Sequence, residues 1–115
     1  MSKAKAKGTN GENEILDLLR SYGFKNAHRT EASRESHDIW CDDIVVEVKF
    51  RKRWELFKWV RKIRHVATGD NPWVIYAIHG DRRTLEGAQV GRVAIMDADF
   101  ATELLSYRKN TLENR

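Results

Sequence analysis

A single cysteine and the absence of any long apolar run exclude several classes of protein. Cys41 is the only cysteine, so neither an intrachain disulfide framework nor a cysteine-based zinc site is possible. No apolar segment is long enough to span a bilayer. The basic N-terminus, residues 1–8, has no apolar segment behind it, as a secretory signal peptide would have. We therefore expect a soluble cytoplasmic protein that does not enter a membrane.

The histidines give no indication of a metal site. No two of them have the i, i+4 spacing that places a pair of ligands on one helix face, and no HNH-like arrangement is present. We expect all of them to be structural or exposed to solvent: His28, His37, His65 and His79. The sequence also shows no internal repeat and no low-complexity domain.

The composition is that of one small globular domain with a basic surface. Of the 115 residues, 41% are hydrophobic and 33% are charged, with a net charge of +4. The positive charge is concentrated in residues 49–65, where eight lysines and arginines accompany a single acid, Glu55. Such a run is usually a solvated helix face, but it also favours a polyanionic partner.

The pattern of apolar residues predicts an α/β domain built on a central mixed sheet flanked by helices. We expect a flexible basic arm over residues 1–8, a folded domain over 9–107 and a polar tail over 108–115. The predicted elements are a helix from residue 9 or 10 to 21, a strand at 24–29, a hairpin at 38–50, a helix at 53–68, strands at 73–78 and 92–96, and a last helix ending at 107.

Two helices show apolar stripes that predict their buried faces. In the first helix the stripe consists of Ile15, Leu18, Leu19 and Tyr22, and Glu12 extends it toward the N-terminus. An acid in a first turn suits the helix dipole, so Glu12 alone indicates little. In the second helix the predicted inner stripe is Trp54, Phe57, Val60, Ile63 and Ala67, and Trp59 is expected on the exposed basic side.

The predicted hairpin places charged residues on one face of the sheet. Apolar residues alternate from Ile44 to Phe50, so Glu47 and Lys49 share the opposite face. If Asp42 and Asp43 form a two-residue turn, Asp38 lies directly opposite Glu47. A longer loop would change the partner of Asp38, but it would not separate Glu47 from Lys49.

Two carboxylates directly opposite each other destabilise a sheet unless a cation lies between them. This juxtaposition predicts a divalent metal site at Asp38 and Glu47. The alternative is an ordinary surface hairpin with a solvated acidic and basic edge, since Glu-x-Lys pairs are common in strands.

These residues together resemble the PD-(D/E)XK nuclease superfamily, and within it the archaeal and phage-type Holliday junction resolvases. The resemblance lies in Lys7-Gly8-x-x-x-Glu12 on the first helix, Asp38 at the start of the hairpin, and Glu47-Val48-Lys49 on its second strand. The loop at 29–33 is similar to the arginine- and serine-bearing loop of these resolvases. His37 stands where the family name has proline, a departure that leaves the chemical groups intact.

The resemblance implies a restriction-endonuclease-like fold and a role for each of these residues. Asp38, Glu47 and the backbone carbonyl of Val48 would bind Mg²⁺, or Mn²⁺ in its place, and Glu12 would reach the same centre. Carboxylates beside Lys49 favour its charged form, so we expect it to orient the attacking water and offset charge on the phosphate. The residues expected to bind DNA are Lys5, Lys7, Arg29, Ser33, Arg34, Arg51, Lys52 and Arg53.

The resemblance further implies a homodimer that cuts four-way DNA junctions symmetrically, because two cuts require two active sites at a fixed separation. Two alternatives remain open at this point. A nuclease of the same type could act on flapped, nicked or linear duplex DNA, since a fold does not determine its substrate. The chain could also be a DNA-binding module without catalytic activity.

Overall fold

The computed structural model describes residues 3–30, 38–67, 69–81 and 91–114, with the side chains described from residue 9 onward. These residues form a mixed sheet and its flanking helices. The elements, in chain order, are α1 (Lys3–Ser21), β1 (His28–Arg29), β2 (Ile39–Cys41), β3 (Ile44–Arg51), α2 (Leu56–Val66), β4 (Trp73–His79), β5 (Arg92–Met96) and α3 (Ala98–Glu113).

The strands form one five-stranded sheet in the order β1-β2-β3-β4-β5. Neighbouring strands are antiparallel except for β3 and β4, which run parallel with Val45 opposite Trp73 and Arg51 opposite His79. The parallel pair requires a crossover, and α2 supplies it. The predicted single α/β domain with a mixed sheet and the predicted element order are confirmed.

The two faces of the sheet carry separate apolar cores. On one face α1 packs through Ile15, Leu16 and Leu19 against residues that include Val46, Val48 and Ile78. On the other face α2 packs through Trp59, Ile63 and Ala67 against residues that include Val45, Ile75 and Ala77. Alternate residues of β3 therefore point to different helices, and the odd-numbered ones, Glu47 and Lys49 among them, lie on the α2 face.

The hairpin between β2 and β3 has the predicted two-residue turn. Cys41 pairs with Ile44, and Asp42 takes a φ of 55°, in the left-handed region that aspartate tolerates better than most residues. Cys41 is buried, as expected for a small core residue. This turn sets the register of β2 against β3 and so determines which residues of the two strands lie near each other.

The helix boundaries differ from the predicted ones. The helix α1 begins at Lys3 rather than at residue 9 or 10, because Ala4, Ala6 and the intervening lysines are good helix formers and continue the helix through Gly8. The first strand covers only His28 and Arg29. The helix α2 is shorter than predicted, and α3 continues to Glu113 through a segment predicted to be a polar tail.

Three aromatic side chains lie on faces other than the predicted ones. Trp59, predicted to be exposed, is 7% exposed, whereas Phe57, predicted to be buried, is 85% exposed. The reason is that α2 is oriented by its contacts with Val45 and Ile75 rather than by its own periodicity. Tyr22 is exposed because α1 ends at Ser21, so this residue leaves the helical stripe.

No helix in the described part of the chain is both long enough and apolar enough to cross a membrane.

Gly11 is the point of closest approach between α1 and the sheet. A Cβ atom at this position would lie 3.1 Å from Cδ2 and 3.3 Å from Cβ of Phe50. We expect Gly11→Leu to lower the free energy of unfolding by about 2 kcal/mol in urea denaturation, because an overpacked side chain displaces the helix. Asn13→Leu, on the exposed side of α1, provides the matched control and should not destabilise the protein. Equal stability of the two variants would contradict this packing.

Candidate active site

Asp38 lies immediately before β2. Its side chain accepts a hydrogen bond from β3 that the backbone of a longer β2 strand would accept. The regular pairing of β2 with β3 ends at Ile39 and Val46. The N–H of Asp38 donates to the carbonyl of Val46 at 3.0 Å, and its carboxylate Oδ2 accepts from the N–H of Val48 at 2.8 Å. The predicted register is confirmed from Cys41 and Ile44 to Ile39 and Val46, and the regular ladder ends one pair before Asp38 and Glu47. The carboxylate nevertheless lies against β3 next to Glu47.

Glu47 and Lys49 form an ion pair on the α2 face of the sheet. The Nζ of Lys49 lies 3.3 Å from Oε1 of Glu47, and the two side chains are only 13% and 15% exposed. Burial, with a further contribution from the charge of Asp38, raises the pKa of Glu47 to about 7. The adjacent Lys49 lowers this pKa only in part. At neutral pH the site thus holds a carboxyl group that a bound cation would help to ionise.

Glu12 approaches Asp38 from α1. Burial raises the pKa of Glu12, and the negative charge of Asp38 raises it further. Arg29 of β1 opposes this effect, because its Nη2 lies 2.9 Å from Oε2 of Glu12. Asp38 is therefore the neighbour that Glu12 and Glu47 share. Of the four predicted catalytic residues, the structure places Asp38 near both Glu12 and Glu47, and Lys49 beside Glu47.

Lys62 is a residue near the site that sequence reasoning missed. Its positive charge is among the influences that lower the pKa of Glu47, after those of Lys49. No sequence pattern indicated it, because only the folded structure shows that α2 packs on the face of the sheet that Glu47 shares with Val45. The α2 face therefore brings two lysines close to Glu47.

The oxygen atoms at the site are of the chemical type that a hard divalent cation prefers as ligands. Since the N–H and C=O of one strand residue point the same way, the carbonyl of Val48 faces the side on which Asp38 accepts the Val48 N–H. Carboxylates and a carbonyl are the ligands that Mg²⁺ and Mn²⁺ favour. Among the described residues, however, no three acidic, histidine or cysteine side chains are grouped closely enough to hold a metal. Arg29 and Lys49 pair with the outer carboxylates, so Glu12 would have to leave Arg29 to join a metal site.

The predicted DNA-binding residues have different environments. Arg51, Lys52 and Arg53 are exposed where β3 leads into α2, and Lys52 pairs with Asp81 at 3.2 Å. Arg29 is half-exposed and pairs with Glu12, so its main contact is within the site. Ser33 and Arg34 lie outside the described residues. For Lys5 and Lys7 only the helical backbone is described.

Comparison of the chain with protein-family models, with curated proteins and with solved structures found no match.

The raised pKa of Glu47 predicts how stability depends on pH. A carboxyl whose pKa is higher in the folded state stabilises the protein below pH 4.5, and this contribution is lost as the pH rises through about 7. Without divalent ions we expect the unfolding free energy to fall by about 1–3 kcal/mol between pH 5 and pH 8.5, since each pKa unit corresponds to about 1.4 kcal/mol. In urea denaturation, Glu47→Gln should remove most of this decrease in the unfolding free energy.

The control for this experiment is Glu55→Gln, which removes an exposed carboxylate from the start of α2. It should retain the full pH dependence of the original protein. Parallel stability curves for the original protein and Glu47→Gln would contradict the assignment of the titration to Glu47.

Proposed function

We propose that this protein is a metal-dependent DNA endonuclease of the PD-(D/E)XK type that prefers four-way junctions. The observation that carries the proposal is the position of Asp38, whose carboxylate contacts β3 beside Glu47 and interacts electrostatically with both Glu47 and Glu12. A mixed sheet flanked by helices agrees with the architecture that the resemblance implies. The fold alone does not select a function, so the proposal rests on the site.

Asp38, Glu47 and the carbonyl of Val48 would hold Mg²⁺ or Mn²⁺, with Glu12 as a further ligand after release from Arg29. The metal would polarise the phosphodiester and lower the pKa of a bound water. The half-buried position of Glu47 keeps its carboxylate out of bulk solvent. Away from water, each negative charge attracts a cation more strongly. Arg29, whose Nη2 lies 2.9 Å from Oε2 of Glu12, would hold this carboxylate in the absence of a cation.

Lys49 serves in this proposal as a cation and not as a base. Its Nζ lies 3.3 Å from Oε1 of Glu47, on the face of β3 that carries the candidate site. A protonated Lys49 donates hydrogen bonds to the attacking water and to a phosphate oxygen. Lys62, on α2, adds a second positive charge where negative charge develops on the phosphate.

The basic segment that follows β3 supplies the contact with the DNA backbone. Arg51, Lys52 and Arg53 are exposed and continue directly from the strand that carries Glu47 and Lys49. Each phosphate that these side chains neutralise adds affinity that is independent of sequence and decreases with salt. A duplex would therefore be held next to the catalytic residues by its phosphates.

Two alternative functions remain distinct from this one. The same site could cut flapped, nicked or linear duplexes in repair or restriction. A DNA-binding module without activity is disfavoured, because Asp38 is kept near both Glu12 and Glu47 at an electrostatic cost that simple DNA binding does not require.

An assay with Mg²⁺ or Mn²⁺ and labelled DNA tests the proposal. We expect paired symmetric nicks in a four-way junction and at least a hundredfold loss of cutting in Lys49→Ala and Glu47→Gln, because water orientation or metal binding is lost. Junction binding should change less than threefold in gel shifts. Glu55→Gln is the control and should cut normally. Cutting of flaps or linear duplex alone would favour the second function, and binding without any cutting the third.

We further propose that two copies of the chain associate through α3. None of the residues of α3, all of which the structure describes, is buried, and its large apolar side chains are exposed at Leu104, Leu105, Tyr107 and Leu112. A helix of this length gains most of its stability by packing an apolar face, so α3 requires a partner.

The sequence of α3 is suited to an antiparallel pair with itself. One side of α3 carries the small residues Ala98 and Ala101 near its start and the large residues Leu105 and Leu112 further along. In an antiparallel pair, the large side chains of one helix therefore lie opposite the small side chains of the other. Asp99 and Glu103 lie in the first half and Arg108 in the second, which brings opposite charges together in that arrangement. Glu113, in the last turn, already pairs with Lys109 at 3.7 Å.

Leu105→Glu should convert a dimer into a monomer, because it places a carboxylate at the centre of the paired helices. We expect light scattering to show half the mass, and junction cutting to change from paired nicks to single nicks. Asn110→Glu, on another side of α3, is the control and should leave the mass unchanged. A monomeric original protein, or a dimer that persists in Leu105→Glu, would contradict this interface.

A further inference from the structure

Phe57 is an exposed aromatic side chain on a rigid support. It is 85% exposed, although burying a phenylalanine side chain contributes about 1.5–3 kcal/mol. The helix beneath it is firmly held, since Trp59 and Ile63 are buried in the α2 core. Trp54, just before the helix, donates from Nε1 to the carbonyl of Arg51 at 3.0 Å and packs near the rings of Trp59 and His79. Phe57 is thus presented to solvent from a fixed position.

The surroundings of Phe57 are cationic. Arg61 and Arg64 follow it at i+4 and i+7 and share its side of α2. No acid occurs in Leu56–Val66. A second copy of this chain is an unsuitable partner here, because a symmetric contact would place these cations against one another. A flat apolar ring among positive charges instead fits a partner with flat apolar faces and negative charge.

A nucleic acid with an unstacked base is such a partner. Within a continuous duplex both faces of each base are covered by its neighbours, whereas a branch point leaves bases that can stack on an aromatic side chain. Phe57 lies about 140° around α2 from Lys62, the residue of this helix whose charge acts on Glu47. Phe57 and the catalytic residues therefore lie on different sides of α2. DNA that passes across this helix would contact both.

We propose that Phe57 stacks on an unpaired base at a DNA branch point and so makes the protein select branched DNA over continuous duplex. This inference rests on the proposed function for its polynucleotide substrate, but it concerns recognition and not cutting. Phe57 acts here as a specificity-determining residue, and Arg61 and Arg64 hold the phosphates beside the stacked base.

The test compares Phe57→Ala with Phe57→Trp and with Tyr22→Ala. Tyr22 is the matched control, since it is an aromatic residue 79% exposed at the end of α1. Affinity for a four-way junction and for a linear duplex is measured by fluorescence anisotropy in EDTA, which prevents cutting. We expect Phe57→Ala to weaken junction binding about tenfold, as loss of one base–aromatic stack should. Duplex binding should be unchanged, and Phe57→Trp and Tyr22→Ala should bind the junction normally.

A 2-aminopurine placed at the branch point provides a second measurement. The original protein and Phe57→Trp should quench its fluorescence, and Phe57→Ala should not. Unchanged junction affinity in Phe57→Ala, or an equal loss for junction and duplex, would overturn the inference. A change in molecular mass in Phe57→Ala would also overturn it, by assigning the ring to a protein interface.

The two proposals can fail separately. If the original protein cuts junctions and Phe57→Ala binds them equally well, the stacking role is wrong and the nuclease function stands. If the original protein cuts no DNA but binds junctions through Phe57, the nuclease function is wrong and the recognition role stands.

Discussion

The hydrogen bond from the N–H of Val48 to the carboxylate of Asp38 is the contact on which the candidate site depends. It joins the residue before β2 to the middle of β3 at the point where the regular ladder has ended. Without it, the side chain of Asp38 would be free to turn into solvent, away from two other carboxylates. One backbone donor thus offsets part of the repulsion that the cluster creates.

The electrostatic balance of the site follows from this constraint. Each outer carboxylate has its own cation, Arg29 for Glu12 and Lys49 for Glu47, yet burial and Asp38 still raise the pKa of both acids. The acids are therefore under-compensated in the folded protein. A divalent cation would relieve this repulsion, which gives the arrangement a physical purpose that a solvated surface hairpin lacks.

The division of the sheet into two faces relates the site to the remaining surfaces. The α1 side buries the even-numbered residues of β3, whereas the α2 side combines a core with Glu47, Lys49 and Lys62. Glu47 and Lys49, the exposed cations at the end of β3 and Phe57 all belong to β3, α2 and the segment between them, whereas Glu12 and Asp38 reach the candidate site from α1 and from the start of β2. The helix α3 buries none of its residues and is therefore available for the association that we propose.

The sequence by itself determined the local features of this protein. The alternation from Ile44 to Phe50 placed Glu47 and Lys49 together, and the Asp42-Asp43 turn determined the pairing of Cys41 with Ile44, because both depend only on neighbouring residues. The order of the elements along the chain and the core face of α1 could be predicted in outline for the same reason.

Only the tertiary structure decided how the helices and Asp38 are placed. The apolar residues of α2 permit two overlapping stripes that share Val60, Ile63 and Ala67, and contact with Val45 and Ile75 selected the one that buries Trp59 and exposes Phe57. Similarly, pairing rules placed Asp38 opposite Glu47, whereas its carboxylate takes the Val48 N–H where β2 has ended. Periodicity specifies which residues share a face, but the free energy of packing and of satisfying backbone donors specifies what that face contacts.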